Sequence, residues 1–252
     1  MRTIQVIGIG AGNPDHLTLE AIRALNEVDV VFIVTKGDDK RELEDLRREL
    51  CDRHIERQDV RTVEIADPPR DRTAEAYAEA VEDWRHRRAG AFASAIRDEL
   101  GPDNTGALLV WGDPAFYDST LPIIEDILER GELELAYRVV PGISSLQSLA
   151  ASHRITLTRV GRPLQITTGR RVADGAHDAG DDILVMLDAV LAFRKFADRS
   201  FDIYWGAYLG TADEILIAGP VEDVADRIVQ ARAQARARKG WIMDTYLLRR
   251  RG

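Results

Sequence analysis

Three glycine-containing segments have residue types that suit ligand binding. They are Gly8-Ile9-Gly10-Ala11-Gly12, Gly112-Asp113-Pro114 and Pro141-Gly142-Ile143-Ser144-Ser145. Glycine lets the backbone turn tightly and approach a ligand, the aspartate supplies a carboxylate, and serine caps helices well. Loops of this kind can hold a bound molecule, although each segment taken alone is also an ordinary turn or helix start.

Each segment follows or ends an apolar run that predicts a β-strand. The three runs are residues 3–9, 106–111 and 137–140. A helix at 18–25 and a second apolar run at 28–34 complete a β-α-β unit with the first run, which indicates a parallel sheet. Because α/β folds build their sites in loops at the carboxyl ends of parallel strands, the second and third segments could face one ligand.

The remaining pattern predicts an α/β protein with two domains, at 1–130 and 131–252. In the first half we expect a surface helix within 38–59, helical faces between Ala74 and Leu100, and a helix at 122–130. In the second half, strand-like runs are separated by helices and turns, so we expect a mixed sheet there. These runs are 163–168, 182–187, 202–209, 215–218 and 241–248.

Composition narrows the possible partners. The 252 residues carry 43 acidic and 34 basic side chains, for a net charge of −9, which argues against nucleic acid as the main partner. The basic runs Arg232 to Lys239 and Arg249 to Arg251 are interpreted as a solvated helix face and a frayed end. The single cysteine, Cys51, and the lack of an apolar run of membrane length or a signal sequence favour the cytoplasm.

Two cofactor types are disfavoured by spacing. A dinucleotide fingerprint would need glycine at position 13, which is Asn13, and the second strand ends Val34-Thr35-Lys36 without the expected acid. The histidines are scattered, with no His, Cys and carboxylate cluster at metal-ligand spacing, so we expect no bound metal.

Taken together and in order, the motifs resemble those of the tetrapyrrole (class III) methyltransferases. The matching segments are Gly8 to Thr18, Trp111-Gly112-Asp113-Pro114 and Val140 to Ser145, and the resemblance covers almost the whole chain. Within this family, residues 139–150 and 240–248 and the long insert before the Gly-Asp-Pro loop are most similar to members that methylate precorrin-5 at ring carbon 1 and release acetate.

The resemblance implies a fold and a methyl donor. Family members have two αβα domains, with S-adenosylmethionine in the cleft between them and the tetrapyrrole in a neighbouring trough. S-adenosylhomocysteine is the product, and no metal is needed because the sulfonium donor carries its own leaving group. By motif position, the residues expected beside the donor are Gly112, Asp113, Phe116, Ser119, Thr120, Ser144, Ser145, Leu187, Ala207, Tyr208, Met243 and Asp244.

Acetate release requires water to attack a carbonyl, so a general base is expected near the tetrapyrrole. Asp15, His16 and Tyr117 lie beside the motif loops and are the candidates. Each also has a structural interpretation: Asp15 begins a turn, His16 packs or forms a hydrogen bond, and Tyr117 lines the trough.

An arginine-rich stretch follows the third segment. Arg154, Arg159, Arg162, Arg170 and Arg171 could receive the acetate and propionate groups of a tetrapyrrole, or could form a solvated loop.

Other functions remain open at this stage. The same fold could methylate another precorrin or uroporphyrinogen, or diphthamide or ribosomal RNA, although net charge disfavours RNA. Outside this class, the glycine loop could belong to a dinucleotide-binding regulatory domain. The family resemblance also implies a homodimer whose substrate is a small molecule, with neither nucleic acid nor membrane as partner.

Overall fold

The computed structural model describes residues 1–35, 41–69, 77–175 and 180–251. The chain divides into two compact units, the first comprising Met1–Gly10 and Pro14–Ile143 and the second Ala11–Asn13 and Ser144–Gly252. The main division thus lies after Ile143, rather than after residue 130 as the sequence suggested. The physical reason is that the strand at Leu135–Val140 pairs in parallel with the strand at Arg2–Gly8 and so belongs to the first sheet.

The first unit contains a parallel sheet, as expected, and the described residues give it five strands and four α-helices. The spatial strand order is β3-β2-β4-β1-β5. Its strands are β1 (Arg2–Gly8), β2 (Val30–Thr35), β3 (Arg61–Ala66), β4 (Thr105–Val110) and β5 (Leu135–Val140). Its helices are α1 (Leu19–Asn26), α2 (Arg41–His54), α3 (Tyr77–Glu99) and α4 (Thr120–Glu129).

Two hydrophobic clusters cover the two faces of this sheet. Strand residues alternate between faces, so Val6 packs with α3 and α4, whereas Ile7 packs with α1 and α2. Helix α1 begins at a capped end, where the Thr18 hydroxyl accepts a hydrogen bond from the Ala21 amide at 3.0 Å. The result is an αβα sandwich in which three strands with motif loops, β4, β1 and β5, are adjacent.

Strand β3 was not predicted from the sequence. It lies at one edge of the sheet, and four of its six residues are exposed, so the apolar run that marks a buried strand is missing. The predicted surface helix is present as α2, and the helical faces before Leu100 belong to one helix, α3. The predicted helix residues Asp38 and Ala74 lie outside the described residues.

The second unit contains a mixed sheet, as expected. The spatial order is β6-β7-β10-β8-β9; β6 and β7 are parallel and the other neighbours antiparallel. Its strands are β6 (Leu164–Thr168), β7 (Asp182–Met186), β8 (Phe201–Ala207), β9 (Ile215–Pro220) and β10 (Asp244–Arg250). Its α-helices are α5 (Ser145–His153), α6 (Gly169–Ala173) and α7 (Val221–Lys239).

The core of the second unit lies mainly on one face of its sheet. Trp205, Phe193 and Tyr246 are fully buried there, together with residues of α6 and α7. On the other face, Gly206 leaves space for α5, since a β-carbon at Gly206 would lie 2.9 Å from Leu149 Cδ1. Both faces are therefore covered by helices.

The predicted frayed end at Arg249 to Arg251 is wrong for its first two residues. Arg249 and Arg250 belong to β10, and Arg249 Nε lies 2.9 Å from Oδ1 of the fully buried Asp182. An internal carboxylate thus fixes the basic end of the chain. Within the described ranges, no helix is long and apolar enough to cross a membrane.

Candidate active site

In the first unit, three motif glycines contact one another at the carboxyl ends of adjacent strands. A β-carbon added at Gly142 would lie 2.1 Å from the Gly112 carbonyl oxygen, and one added at Gly8 would lie 2.6 Å from the Gly142 nitrogen. Both distances are far inside van der Waals contact. The three loops can approach this closely only because none of these residues carries a side chain.

Backbone hydrogen bonds join the first two loops directly. Gly10 and Gly112 form an isolated antiparallel bridge, in which the Gly112 amide donates to Gly10 at 2.8 Å and the Gly10 amide donates to Gly112 at 3.2 Å. Both glycines have left-handed backbones, with φ of 82° and 72°. The glycine-rich loop is therefore part of this junction, although it fails as a dinucleotide fingerprint.

Asp113 holds the second and third loops together. Its Oδ1 accepts a hydrogen bond from the Ala115 amide at 2.8 Å, and its Oδ2 accepts one from the Gly142 amide at 2.9 Å. Each carboxylate oxygen is thus bonded to backbone of a motif loop. The motif aspartate positions the loops, and its expected place beside the donor remains a prediction.

The rest of the second loop leads into α4. The Phe116 amide donates to the Asp113 carbonyl at 3.2 Å, and the amide of the buried Thr120 donates to Asp118 at 2.7 Å. The Ser119 hydroxyl does not cap the helix, because it contacts the guanidinium of the buried Arg88.

The three candidate bases have different surroundings. Asp15 forms an exposed ion pair with Arg53 at 3.1 Å. Tyr117 is half exposed, has a left-handed backbone with φ of 50°, and burial raises the pKa of its phenol. His16 lies against Gly10, and its buried Nδ1 has no hydrogen-bond partner within the described part of the chain.

In the second unit, both predicted serines lie at the start of α5. The buried Ser144 is the N-cap: its hydroxyl accepts from the Leu146 amide at 3.1 Å, and its own amide donates to Gln147 Oε1 at 3.0 Å. This capping box accounts for Ser144 in structural terms. The Ser145 hydroxyl is 3.3 Å from the Thr245 hydroxyl of β10.

The other predicted donor residues of this unit meet at one end of the mixed sheet. Ala207 is opposite Asp244 in the β8–β10 pairing, and Met186, which precedes Leu187, is opposite Thr245 in the β7–β10 pairing. The Tyr208 amide donates to the Met243 carbonyl at 3.0 Å. The structure therefore brings Leu187, Ala207, Tyr208, Met243 and Asp244 to neighbouring strand ends.

Two of these residues have unusual backbones. Leu187 and Tyr208 have φ of 54° and 49°, in the left-handed region that L-residues rarely adopt. Tyr208 is buried and its hydroxyl donates to the Trp241 carbonyl at 2.6 Å, whereas the Leu187 side chain is exposed. Left-handed non-glycine residues often occur at functional sites, so these positions fit a binding role.

Behind this end of the sheet lies a polar network that the sequence did not reveal. Asp244 Oδ2 is 3.0 Å from both Arg232 Nε and Trp205 Nε1, and Arg232 also donates to the Asp188 carbonyl. Burial raises the pKa of Asp244, while Arg232 opposes that rise. Arg232 is thus not on a solvated helix face, because it enters the interior of the unit.

The arginine-rich stretch is partly used within the second unit. Arg159 pairs with the buried Asp182 at 2.8 Å, and Arg162 pairs with Asp181. Arg154, at the end of α5, and Arg170 and Arg171, on α6, are exposed. Arg159 and Arg162 are thus used in ion pairs within the unit.

The described residues contain no group of three or more His, Cys, Asp or Glu side chains placed to hold a metal ion.

Residues 3–225 match the family model for tetrapyrrole (corrin/porphyrin) methylases. The chain belongs to the tetrapyrrole methylase family. Membership in this family favours the methyltransferase hypothesis over the dinucleotide-binding alternative.

Individual relatives of this tetrapyrrole methylase span nearly its full length. It is 53% identical to a precorrin-6A synthase [deacetylating] of Sinorhizobium sp., over 99% of this chain and 96% of the relative. It is also similar to the crystal structure of a cobalamin-synthesis-related protein (CobF) from Corynebacterium diphtheriae, with 38% identity, a TM-score of 0.85 and coverage of 99% and 98%.

A more distant structure shares the fold. It is the uroporphyrin-III C-methyltransferase from Thermus thermophilus in complex with S-adenyl homocysteine, with 18% identity and a TM-score of 0.61. The alignment covers 98% of this chain and 92% of the other.

Proposed function

We propose that this tetrapyrrole methylase transfers a methyl group from S-adenosylmethionine to ring carbon 1 of precorrin-5 and releases acetate, giving precorrin-6A in cobalamin biosynthesis. The observation that carries the proposal is the 53% identity, over 99% of the chain, to a precorrin-6A synthase [deacetylating]. Identity at this level over the full length supports a shared substrate as well as a shared fold.

The described residues fit a sulfonium donor. When bound, S-adenosylmethionine supplies an electrophilic methyl group and becomes S-adenosylhomocysteine. In the first unit, the backbones of Gly8, Gly112 and Gly142 meet without side chains. In the second, the exposed Leu187 offers an apolar surface of the kind that an adenosine group packs against. In each unit, the residues named by motif position remain our candidates for contact with the donor.

The role of these residues is to bind and orient, and to exclude water. Methyl transfer needs an acceptor carbon held in line with the methyl group, because a well-oriented pair reacts far faster than a free one. The hydrogen bonds of Asp113 and the capping box of Ser144 hold two donor loops in fixed conformations. Rigid loops of this kind lower the cost of binding.

We assign the acetate-releasing step to His16. Water loses a proton and adds its oxygen to the acyl carbonyl, the carbon–carbon bond to the ring breaks, and the electron pair of that bond forms the new bond between the tetrapyrrole and the transferred methyl group. His16 is the candidate with a buried, unpartnered ring nitrogen that could take the proton from water. Asp15 is engaged in a surface ion pair, and the raised pKa of Tyr117 keeps its phenol protonated near neutral pH, so that it cannot take a proton from water.

For the substrate carboxylates we retain Arg154, Arg170 and Arg171, which are exposed. An anionic substrate needs a local positive charge on a protein whose net charge is −9. Replacing these three with Gln should raise KM for the tetrapyrrole, and the triple variant should keep the wild-type affinity for S-adenosylmethionine.

Substrate choice tests the proposal directly. Purified protein should methylate enzymatically generated precorrin-5 with S-adenosylmethionine, whereas uroporphyrinogen III and precorrin-2 should give no methylated product by mass spectrometry. Preferential methylation of another tetrapyrrole would keep the family and overturn the assigned substrate. Failure to bind S-adenosylmethionine in a calorimetric titration would overturn the methyltransferase activity itself.

The histidine assignment has its own test. His16→Gln should slow acetate release by at least about 100-fold, the usual contribution of a general base, while S-adenosylmethionine still binds with its wild-type affinity. His86→Gln, which changes a half-exposed histidine near Asp126, is the matched control and should release acetate at the wild-type rate. Normal acetate release by the His16 variant would contradict the assignment.

For assembly and location we propose a homodimer in the cytoplasm that binds neither nucleic acid nor membrane. The family resemblance supports the dimer, and the unpaired Cys51 is typical of a reducing compartment. Light scattering should give twice the mass of one chain, and a monomer at working concentration would contradict the dimer.

A further inference from the structure

We propose that Asp188 is a positioning residue that fixes the backbone of Leu187 and thereby shapes the donor site of the second unit. The inference rests on the proposed function, because it assumes that Leu187 contacts S-adenosylmethionine. Neither the motif pattern nor the family resemblance singled out this aspartate. The contacts of its carboxylate do.

The Asp188 carboxylate organises the loop that follows β7. Its Oδ1 accepts a hydrogen bond from the Val190 amide at 2.9 Å, and its Oδ2 accepts one from the Ala192 amide at 2.7 Å. The residue is only 3% exposed. A buried carboxylate with both oxygens bonded to amides holds the loop backbone tightly.

Two further contacts connect the same residue to the rest of the unit. The Tyr246 hydroxyl of β10 donates to Asp188 Oδ2 at 2.8 Å, and Arg232 of α7 donates to the Asp188 carbonyl at 2.5 Å. Arg232 also pairs with Asp244 at 3.0 Å. Asp188 is therefore tied to a network that includes another predicted donor residue.

The loop held in this way has a conformation that needs support. Leu187 and Leu191 have left-handed backbones, with φ of 54° and 58°, on either side of the Asp188 contacts. The side chains of Leu187 and Val190 are exposed although they are apolar. An unfavourable backbone that presents apolar side chains to solvent is typical of a binding loop and persists only when its surroundings fix it.

The first unit also contains an aspartate whose carboxylate accepts hydrogen bonds from loop backbone amides. Asp113 directly follows a motif glycine at a strand end, and its two oxygens also accept backbone amides of the loops there. Asp188 likewise lies in the loop after a strand, two residues beyond the end of β7, whereas Asp113 lies three residues beyond the end of β4. In each unit an aspartate holds the loop that we assign to the donor.

Gly169 provides a second way to perturb the same contact. A β-carbon at this position would lie 2.3 Å from Asp188 Oδ1 and 2.6 Å from its Cα. Gly169→Ala should therefore displace Asp188 from a neighbouring element while leaving its charge in place.

The experiment measures donor and tetrapyrrole parameters separately. Asp188→Asn replaces one acceptor oxygen with an NH₂ group that faces an amide, so it should raise the Kd and KM for S-adenosylmethionine about tenfold or more. Gly169→Ala should do the same. For both variants, KM for precorrin-5 should stay within about threefold of wild type, because a general loss of folding would change both substrates together.

Asp226→Asn is the matched control, since Asp226 forms an exposed pair with Arg194 on the same unit. Tyr246→Phe keeps both loop amide bonds and should shift the donor Kd less than Asp188→Asn does; it serves if the latter fails to fold. The inference would be overturned if folded Asp188→Asn and Gly169→Ala proteins bound S-adenosylmethionine with wild-type affinity. It would also be overturned if Tyr246→Phe weakened the binding of both substrates equally. A wild-type protein that binds no S-adenosylmethionine would overturn the proposed function as well.

Discussion

Asp113 Oδ2 and the Gly142 amide are joined by a hydrogen bond of 2.9 Å. It connects the loop after β4 with the loop after β5, although the strand β1 lies between them in the sheet. The other oxygen of the same carboxylate binds within its own loop, at the Ala115 amide. The aspartate of the Gly-Asp-Pro motif thus has a structural function that does not depend on a bound ligand: it connects two loops.

Asp113→Asn should lower the free energy of unfolding by about 1–3 kcal/mol, because the partly buried Gly142 amide loses its charged acceptor. Urea denaturation measures this loss. Asp103→Asn is the control, since its exposed carboxylate pairs with the amino group of Met1 and its replacement should leave the free energy of unfolding almost unchanged. Equal stability of the two variants would show that the loop bond contributes nothing.

Gly142→Ala should abolish donor binding, because the new β-carbon would lie 2.1 Å from the Gly112 carbonyl oxygen and the two loops must separate. Gly90→Ala is the matched control: that glycine lies within α3 and its β-carbon would meet nothing within 4 Å. We expect the control to be stabilised by about 0.5–1 kcal/mol and to bind the donor normally. Calorimetric titration with S-adenosylmethionine measures donor binding by both variants. Unchanged binding by the Gly142 variant would contradict the importance of the close loop contact.

Arg88→Ala should destabilise the first unit by about 3–5 kcal/mol, since it removes the guanidinium that pairs with the largely buried Asp67 carboxylate. The two side chains are 6% and 10% exposed and 2.7 Å apart, and Arg88 also lies over the Trp84 ring. The adjacent Arg87→Ala breaks an exposed pair with Asp83 and should cost less than about 1 kcal/mol. Thermal unfolding measures the melting temperatures of Arg88→Ala and Arg87→Ala. Similar melting temperatures would contradict the larger contribution of the buried pair.

Cys51 should make stability fall at alkaline pH. Burial raises the pKa of its thiol from 9.0 to about 11. Because the folded-state pKa is the higher one, the associated stability is fully present below pH 9 and is lost as pH rises to about 11. A two-unit difference corresponds to about 2–3 kcal/mol. Urea denaturation between pH 9 and about 11 should show that the free energy of unfolding falls more in the wild type than in Cys51→Ala. If the free energies of the two proteins fell in parallel with pH, the role of Cys51 would be contradicted.

Local sequence patterns were sufficient for most of the fold. The apolar runs predicted β1, β4 and β5, and the position of two motifs predicted that the loops after β4 and β5 could face one ligand. Strand β3 was missed because an edge strand with exposed charged residues lacks a buried pattern. The division after residue 130 was misplaced because strand pairing depends on contacts distant in the chain, here between β5 and β1.

The polar network of the second unit could not be predicted in the same way. Asp188, Arg232 and Asp244 come from separate elements, and no spacing rule connects them. Arg232 in particular lies in a charged helical run that looks solvated until the strand beneath it is known. By contrast, Ser144 and Gln147 have the three-residue spacing of a capping box, a local pattern that the prediction of Ser144 as a cap did not include.

The measurement that tests the central claim most directly is the stoichiometry of the two products. Purified enzyme would be incubated with precorrin-5 and S-adenosylmethionine carrying a ¹³C-labelled methyl group, and the tetrapyrrole mass and free acetate would be followed together. We expect the tetrapyrrole to gain one labelled methyl group for each acetate that is released. Methylation without any acetate would contradict the assignment as a deacetylating precorrin methyltransferase.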